Sequence, residues 1–291
     1  MGSILKINDT VAFFAASNGL SPFSKDNISS LKLILESFGL KVIYGNNLFA
    51  PDKNIIFNET SQNKGKNLNK LFADKDIRAI FDLSGGDLSN SIIDYLDFDL
   101  IKRNPKPFFG YSDLSTILNS IYTKAGFPTF YYNLKNLITG DYKEEQISLF
   151  KSSIMGNSND LFKFKYDFLS GKALRGFVVG GNIRCTLKLA GTPYSPNFSN
   201  KILFLEAYSG NAAKIYTYLN QYKQIGAFDD LKGIILGSFT EMELNNITPS
   251  VSEMLIEILG DEHKIPIAKT LELGHGSDSK CIVIGGSCTL N

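Results

Sequence analysis

A serine, a histidine and a carboxylate brought together at tight backbone turns can carry out acyl transfer, and this sequence offers a candidate for each role. Ser112 lies in Gly110-Tyr111-Ser112-Asp113, between an apolar run and an amphipathic stretch. A serine at a strand-to-helix junction presents its hydroxyl on a sharp turn, where the helix N-terminus and the next backbone N–H favour developing negative charge. The competing reading is a helix cap, because Ser and Asp accept backbone N–H bonds at that position. The Gly-x-Ser-x-Gly pattern is incomplete, since Leu114 stands where its second glycine would be.

A serine nucleophile needs a base, and the base needs a group to hold it. The sequence has 2 histidines. His275 lies between Gly274 and Gly276, which permit close approach of substrate or chain, so it reads as the base or as a structural loop residue. His263, among Asp261, Glu262 and Lys264, reads as a solvated surface residue. Glu206 ends the apolar run 202–205, where a carboxylate needs a partner to offset desolvation. It is either the orienting acid or a strand-end glutamate that reaches water or a lysine. Gly85 and Gly86 follow another apolar run and could turn N–H groups toward an oxyanion or a phosphate. The surrounding Ser84-Gly85-Gly86-Asp87 matches no nucleotide-binding fingerprint, and Asp87 would repel phosphate. Gly180-Gly181-Asn182 reads as a second turn of structural character.

Composition narrows the function further. With 30 basic and 29 acidic residues the 291-residue chain carries a net charge of +1, so it lacks the footprint of a nucleic-acid binder. Two histidines without a His-Glu-x-x-His arrangement argue against a zinc hydrolase. Cys185, Cys281 and Cys288 form no Cys-x-x-Cys pair and sit in or beside apolar stretches, so they read as buried residues in a reducing compartment. No leader-like segment opens the chain, and no apolar run approaches the length of a membrane span. These features predict a cytoplasmic protein with no membrane partner.

Elements of alternating type must position these residues. Apolar runs at 10–17, 40–44, 77–83 and 107–111 read as strands. Helical patterns at 25–38, 67–72, through Ile92, Ile93 and Leu96, and at 114–125 fall between or after them, while 46–66 is polar and broken by Pro51. Alternation of this kind predicts an α/β domain with a parallel sheet covered on both faces. The polar stretch 141–168 reads as a helix and linker, placing the boundary between domains 1–160 and 161–291. Strands at 174–181, 201–206 and 233–239 and a helix at 212–224 give a mixed second half.

Seven separated segments together resemble the LD-carboxypeptidase family of serine peptidases, which includes the microcin C self-immunity hydrolases. They are 11–17, Ser84-Gly85-Gly86, Phe109 to Asp113, Gly180-Gly181-Asn182 with Ala190-Gly191-Thr192-Pro193, 202–206, 233–237 and Gly274-His275-Gly276. The resemblance implies a flavodoxin-like parallel sheet in the N-terminal domain carrying the nucleophile, and a smaller mixed β/α C-terminal domain carrying acid and base. It implies a Ser112, Glu206, His275 triad, with the backbone N–H groups of Gly86 and Asp113 as oxyanion hole and Gly85 on the substrate wall. It further implies a homodimer without metal or cofactor that releases D-alanine from a murein tetrapeptide in cell-wall recycling.

The family often has arginine where this chain has Ser84, and acidic residues where it has 207–210, so the group that binds the substrate carboxylate is left unassigned. The alternatives are a microcin-immunity-like hydrolase of peptidyl or aminoacyl nucleotides, against which the absence of tryptophan weighs, and an inactive module that binds cell-wall peptide. A glutamine-amidotransferase-like enzyme would need a cysteine at position 112.

Overall fold

The computed structural model describes residues 2–45, 48–52, 55, 57–260 and 262–291. Residues 46, 47, 53, 54 and 56 of the polar stretch, and Asp261, lie outside that set.

The first half contributes strands β1 (Thr10–Phe14), β2 (Lys41–Tyr44), β3 (Ile77–Asp82), β4 (Phe108–Gly110) and β5 (Thr129–Tyr131). Its helices are α1 (Lys25–Ser37), α2 (Ser61–Ala73), α3 (Phe98–Arg103), α4 (Ser115–Ala125) and α5 (Lys143–Ile154). The second half adds β6 (Asp167–Ser170), β7 (Leu174–Asn182), β8 (Lys201–Ala207), β9 (Gly233–Phe239), β10 (Ile267–Lys269), β11 (Ile282–Ile284) and β12 (Ser287–Leu290). Helices α6 (Ile183–Leu187), α7 (Ala212–Gln224), α8 (Thr240–Leu244) and α9 (Val251–Leu259) connect them. None of the described helices is long and apolar enough to cross a membrane.

Strands β2-β1-β3-β4-β5 run parallel in the flavodoxin-like order, and β11 closes the β5 edge antiparallel. The second sheet, β12-β7-β8-β9-β10-β6, has a parallel centre with an antiparallel strand at each edge. Central strands read as continuous apolar runs because helices cover both faces of the sheet. Phe13, Phe81 and Phe109 pack on one side of the first sheet, and Ala12, Ile80 and Phe108 on the other. Each such fully buried large side chain contributes about 1.5–3 kcal/mol.

The structure departs from the sequence reading at several elements. The stretch Ser89–Tyr95 is a 3-10 helix rather than an α-helix, with Ser89 N–H and Oγ both turned to Asp113. Helix α2 starts six residues before the predicted segment, where Thr60 Oγ1 accepts from Asn63 N–H as an N-cap. Gly180 and Gly181 are not a turn but the end of β7. The short strand β5 and the returning strand β11 had no clear pattern in the sequence.

The glycine pair has a packing purpose. Asn119 of α4 donates to Gly180 O at 2.7 Å and accepts from Gly180 N–H at 3.0 Å. A side chain at Gly181, whose φ is +136°, would collide with Ser115 Oγ. Only glycine lets α4, the helix that follows Ser112, lie directly on the backbone of β7. The two sheets are thereby joined at the nucleophile candidate.

Candidate active site

Three loops from the first sheet converge at the carboxyl ends of their strands, where open α/β sheets bind ligands beside the reversal of strand order between β1 and β3. They carry Ser17 after β1, Ser84 to Asp87 after β3, and Tyr111 to Asp113 after β4. The second sheet supplies Asn182 at the end of β7, Glu206 near the end of β8, and the loop 271–280 after β10. A cavity of about 470 Å³ is lined by Gly85, Gly86, Ser112, Asn182, Arg184 and His275, among others.

Ser112 stands at φ +56°, a left-handed conformation rare for a residue with a side chain. Holding it there costs about 1–3 kcal/mol, which its surroundings must supply. Its N–H donates to Tyr131 Oη at 3.0 Å, and its carbonyl accepts from Ser115 Oγ at 2.6 Å. Ser115 Oγ also accepts from Asn182 N–H at 2.8 Å, so the turn is bonded to the second sheet as well as to its own helix. Ser112 therefore does not serve as a side-chain cap; its hydroxyl is left for the cavity.

Glu206 is fully buried, yet both carboxylate oxygens are engaged. Oε2 lies 2.6 Å from His275 Nδ1, while Oε1 accepts from Tyr131 Oη at 2.7 Å and Asn182 Nδ2 at 3.0 Å. A carboxylate on Nδ1 makes that nitrogen the donor and leaves Nε2 as the acceptor. Gly274 permits the approach: a side chain there would run into Ser238 Oγ and come within 3.1 Å of Glu206 Oε2. The His275 ring is flanked by Tyr111 and Tyr208, with centroids at 5.3 and 5.1 Å. No hydrogen bond joins the Ser112 hydroxyl to the His275 ring among the described residues, although both line the cavity.

Gly86, at φ +120°, packs against Asn18, whose Oδ1 accepts from Asp87 N–H at 3.1 Å. Gly85 shares the cavity wall. Asp113 is fully buried, and its carboxylate accepts from Ser17 Oγ at 2.6 Å, Ser89 N–H at 2.8 Å and Lys188 Nζ at 2.5 Å. Burial alone would raise its pKa, but the bonds from Lys188 and Ser17 outweigh that and hold it below the usual carboxylate range. The side chain thus fixes the loops around the turn, while its backbone N–H follows directly on Ser112.

The remaining candidates resolve into structure. Ser84, where the family often has arginine, is fully buried; its Oγ donates to Asp82 Oδ1 at 2.5 Å and accepts from Ser17 N–H at 2.9 Å. Burial pushes the Asp82 carboxyl up to about 6, against the three donor bonds from Ser84 and Ala16. His263 lines a different cavity, with Phe228 and Lys264, and it is half-buried rather than solvated, with Nδ1 enclosed. Burial pushes the Cys185 thiol up to about 12 and Cys288 to about 11, which removes them as nucleophiles at neutral pH. Among the described residues no group of three or more His, Cys, Asp or Glu converges to hold a metal ion.

Sequence reasoning missed Tyr131, Asn182 and Arg184 as parts of this site. Asn182 had a signal, since it adjoins the glycine pair, and Arg184 was one of only four arginines. Tyr131, in Thr129-Phe-Tyr-Tyr132, had none.

Comparison with known proteins gives this geometry a context. Residues 11–132 match the LD-carboxypeptidase N-terminal domain, and residues 175–290 match the LD-carboxypeptidase C-terminal domain. A probable murein peptide carboxypeptidase of Bacillus subtilis is 27% identical, with 99% of this chain and 90% of that protein covered. The microcin self-immunity protein MccF of Escherichia coli is also 27% identical, over 93% of this chain and 87% of that protein. The crystal structure of an MccF-like protein from Bacillus anthracis superposes with a TM-score of 0.84 at 27% identity, covering 99% of this chain and 94% of that one. With both of its domains matched and its fold shared along almost its whole length, the chain belongs to the LD-carboxypeptidase family.

Proposed function

We propose that the protein is a serine-type LD-carboxypeptidase that releases a terminal D-amino acid, D-alanine, from murein tetrapeptide during cell-wall recycling. The observation that carries this reading is the 2.6 Å contact of buried Glu206 with His275 Nδ1, in a cavity shared with a left-handed Ser112. Neutral His275 accepts the Ser112 proton on Nε2 as Oγ attacks the scissile carbonyl, and Glu206 stabilises the imidazolium that results. Seating of substrate brings Ser112 and His275 into bonding distance, as catalytic hydrogen bonds often tighten only in the complex. The backbone N–H groups of Gly86 and Asp113 receive the oxyanion, and loss of one such donor typically costs about 100- to 1000-fold in rate. Imidazolium then protonates the departing amine of D-alanine, the C–N bond breaks, and water activated by His275 cleaves the acyl-enzyme. Gly85 lets the peptide backbone pass close to the wall.

The reading includes a cytoplasmic location, supported by three unpaired cysteines, and a homodimer, which sedimentation would test. The second reading, hydrolysis of peptidyl nucleotides, draws on Tyr208, which is 60% exposed beside His275 and offers a face on which a base can stack.

The test is D-alanine release from murein tetrapeptide, with chelator present, by the wild-type protein and Ser112→Ala. Release that the substitution abolishes supports the proposal. No release from a folded protein overturns the substrate assignment and leaves the nucleotide hydrolase and the inactive binding module, which a peptidyl-adenylate analogue separates.

A further inference from the structure

A carboxypeptidase must recognise one feature that an endopeptidase ignores, the free carboxylate of the residue it removes. That carboxylate carbon is three bonds from the scissile carbonyl carbon, so its position is fixed to within about 4 Å of the oxyanion site. A cationic side chain suits it, because a carboxylate taken out of water into a cleft is best offset by a charge-assisted hydrogen bond.

Among the described residues lining the cavity, Arg184 is the only lysine or arginine. The other cations nearby are committed elsewhere. Lys188 Nζ is bound to Asp113 Oδ1 at 2.5 Å and to Asp87 O at 2.9 Å. Lys135 Nζ lies over the Tyr111 ring at 5.6 Å and is not among the residues that line the cavity. Arg184 sits at the start of α6, two residues after Asn182, whose side chain binds Glu206. Its Nη2 pairs with Asp87 Oδ1. Asp87 directly follows Gly86, so this ion pair ties the guanidinium to the loop that offers an N–H to the oxyanion. About half of the Arg184 side chain remains exposed to solvent, at 47%, and the residue lines the cavity. A guanidinium has five N–H donors in a planar fork, and Asp87 engages only one edge of it.

Resting on the carboxypeptidase reading above, we propose that Arg184 receives the free carboxylate of the substrate's terminal residue, with Asp87 holding the guanidinium in place for it. Arg184 then fills the role that the sequence left unassigned once Ser84 was found in place of arginine. It also accounts for a charge pair at the cavity wall that the triad chemistry does not use.

Binding measured in the Ser112→Ala background separates this proposal from turnover. Two ligands are compared by calorimetry: murein tetrapeptide ending in D-alanine as the free acid, and the same peptide as its terminal carboxamide. With Arg184 intact, the free acid binds about 10- to 100-fold more tightly, the range for a hydrogen bond to a charged group. Adding Arg184→Gln brings the ratio close to one, and Arg184→Lys restores part of it. The proposal is overturned if both ligands bind the Arg184 protein alike, if the preference survives Arg184→Gln, or if both ligands weaken equally, as a merely structural role would require. The comparison of the two ligands on the Ser112→Ala protein needs no further variant to fold. A peptide that shows the preference but is not cleaved by wild type sinks the carboxypeptidase function while leaving Arg184 as an anion site.

Discussion

Tyr131→Phe removes a single oxygen and leaves the half-buried Ser112 N–H and the buried Glu206 each short of a partner. The Tyr131 hydroxyl accepts from Ser112 N–H and donates to Glu206 Oε1, across the boundary between the two sheets. It can do both only while protonated, and burial together with the Glu206 charge pushes its pKa well above the ordinary phenol value. The bridge is therefore intact over the whole range in which the protein would be assayed. In the variant, the Ser112 N–H loses its acceptor at about 1–3 kcal/mol, and Glu206 loses a charge-assisted bond worth about 1.5–3 kcal/mol. Glu206 keeps Asn182 and His275, so relaxation recovers part of the loss, and a net destabilisation of about 2–4 kcal/mol is expected. Urea denaturation reads that value. On the proposed function the freed N–H also allows the strained turn at Ser112 to relax; kcat for D-alanine release should then fall about 10- to 100-fold with little change in KM, since Tyr131 is not among the residues lining the cavity. A variant with wild-type urea midpoint and wild-type kcat would show that the bridge carries no load, and the account of how Ser112 is held would be wrong.

Two further outcomes follow from the same contacts. Lys188→Met leaves the Asp113 carboxylate buried without its cation and should cost about 3–5 kcal/mol in urea denaturation. Asp113 has a folded-state pKa below its unfolded value, so it contributes stability above the ordinary carboxylate pKa, and that contribution is lost as pH falls through the folded value; in Lys188→Met the loss sets in at higher pH, which urea midpoints measured across the acid range will show. Gly181→Ala forces a methyl group into Ser115 Oγ at a left-handed φ, and the α4 to β7 contact must open; a loss of about 1–3 kcal/mol is expected, with activity falling in parallel. Wild-type activity in a Gly181→Ala protein would mean that the close approach of α4 is incidental.

The candidate triad was legible because its residue types are scarce or costly. Two histidines leave little choice, and Glu206 at the end of an apolar strand signals its need for a partner. Serine at a strand-to-helix turn is common, and what distinguishes Ser112, its left-handed backbone, is held by a bond to Tyr131 that no local pattern encodes. The buried central strands were readable from their apolar runs. Strand β5 was not, since three residues after Phe127-Pro128 carry no period, and it forms only because β4 and β11 flank it. The pattern through Ile92, Ile93 and Leu96 placed these side chains correctly in the core, but the demand of Asp113 for the Ser89 N–H tightened the backbone into a 3-10 helix. Glycines 180 and 181 looked like a turn because sequence cannot distinguish a glycine that bends the chain from one that makes room for a neighbouring helix.

Strand β11 has a bearing on how the protein is made. It pairs Ile282 with Tyr131 and Ile284 with Thr129, so the outer edge of β5 is satisfied by a segment synthesised roughly 150 residues later. Until that segment emerges from the ribosome, β5 presents unpaired backbone groups, and Tyr131 stands on the exposed rim with Glu206 either not yet made or not yet docked. A nascent first sheet is thus both open to pairing with other chains and unable to set the turn at Ser112. Translation rate and chaperone supply over the second half of the chain should consequently govern the yield of active protein more than they govern the yield of chain.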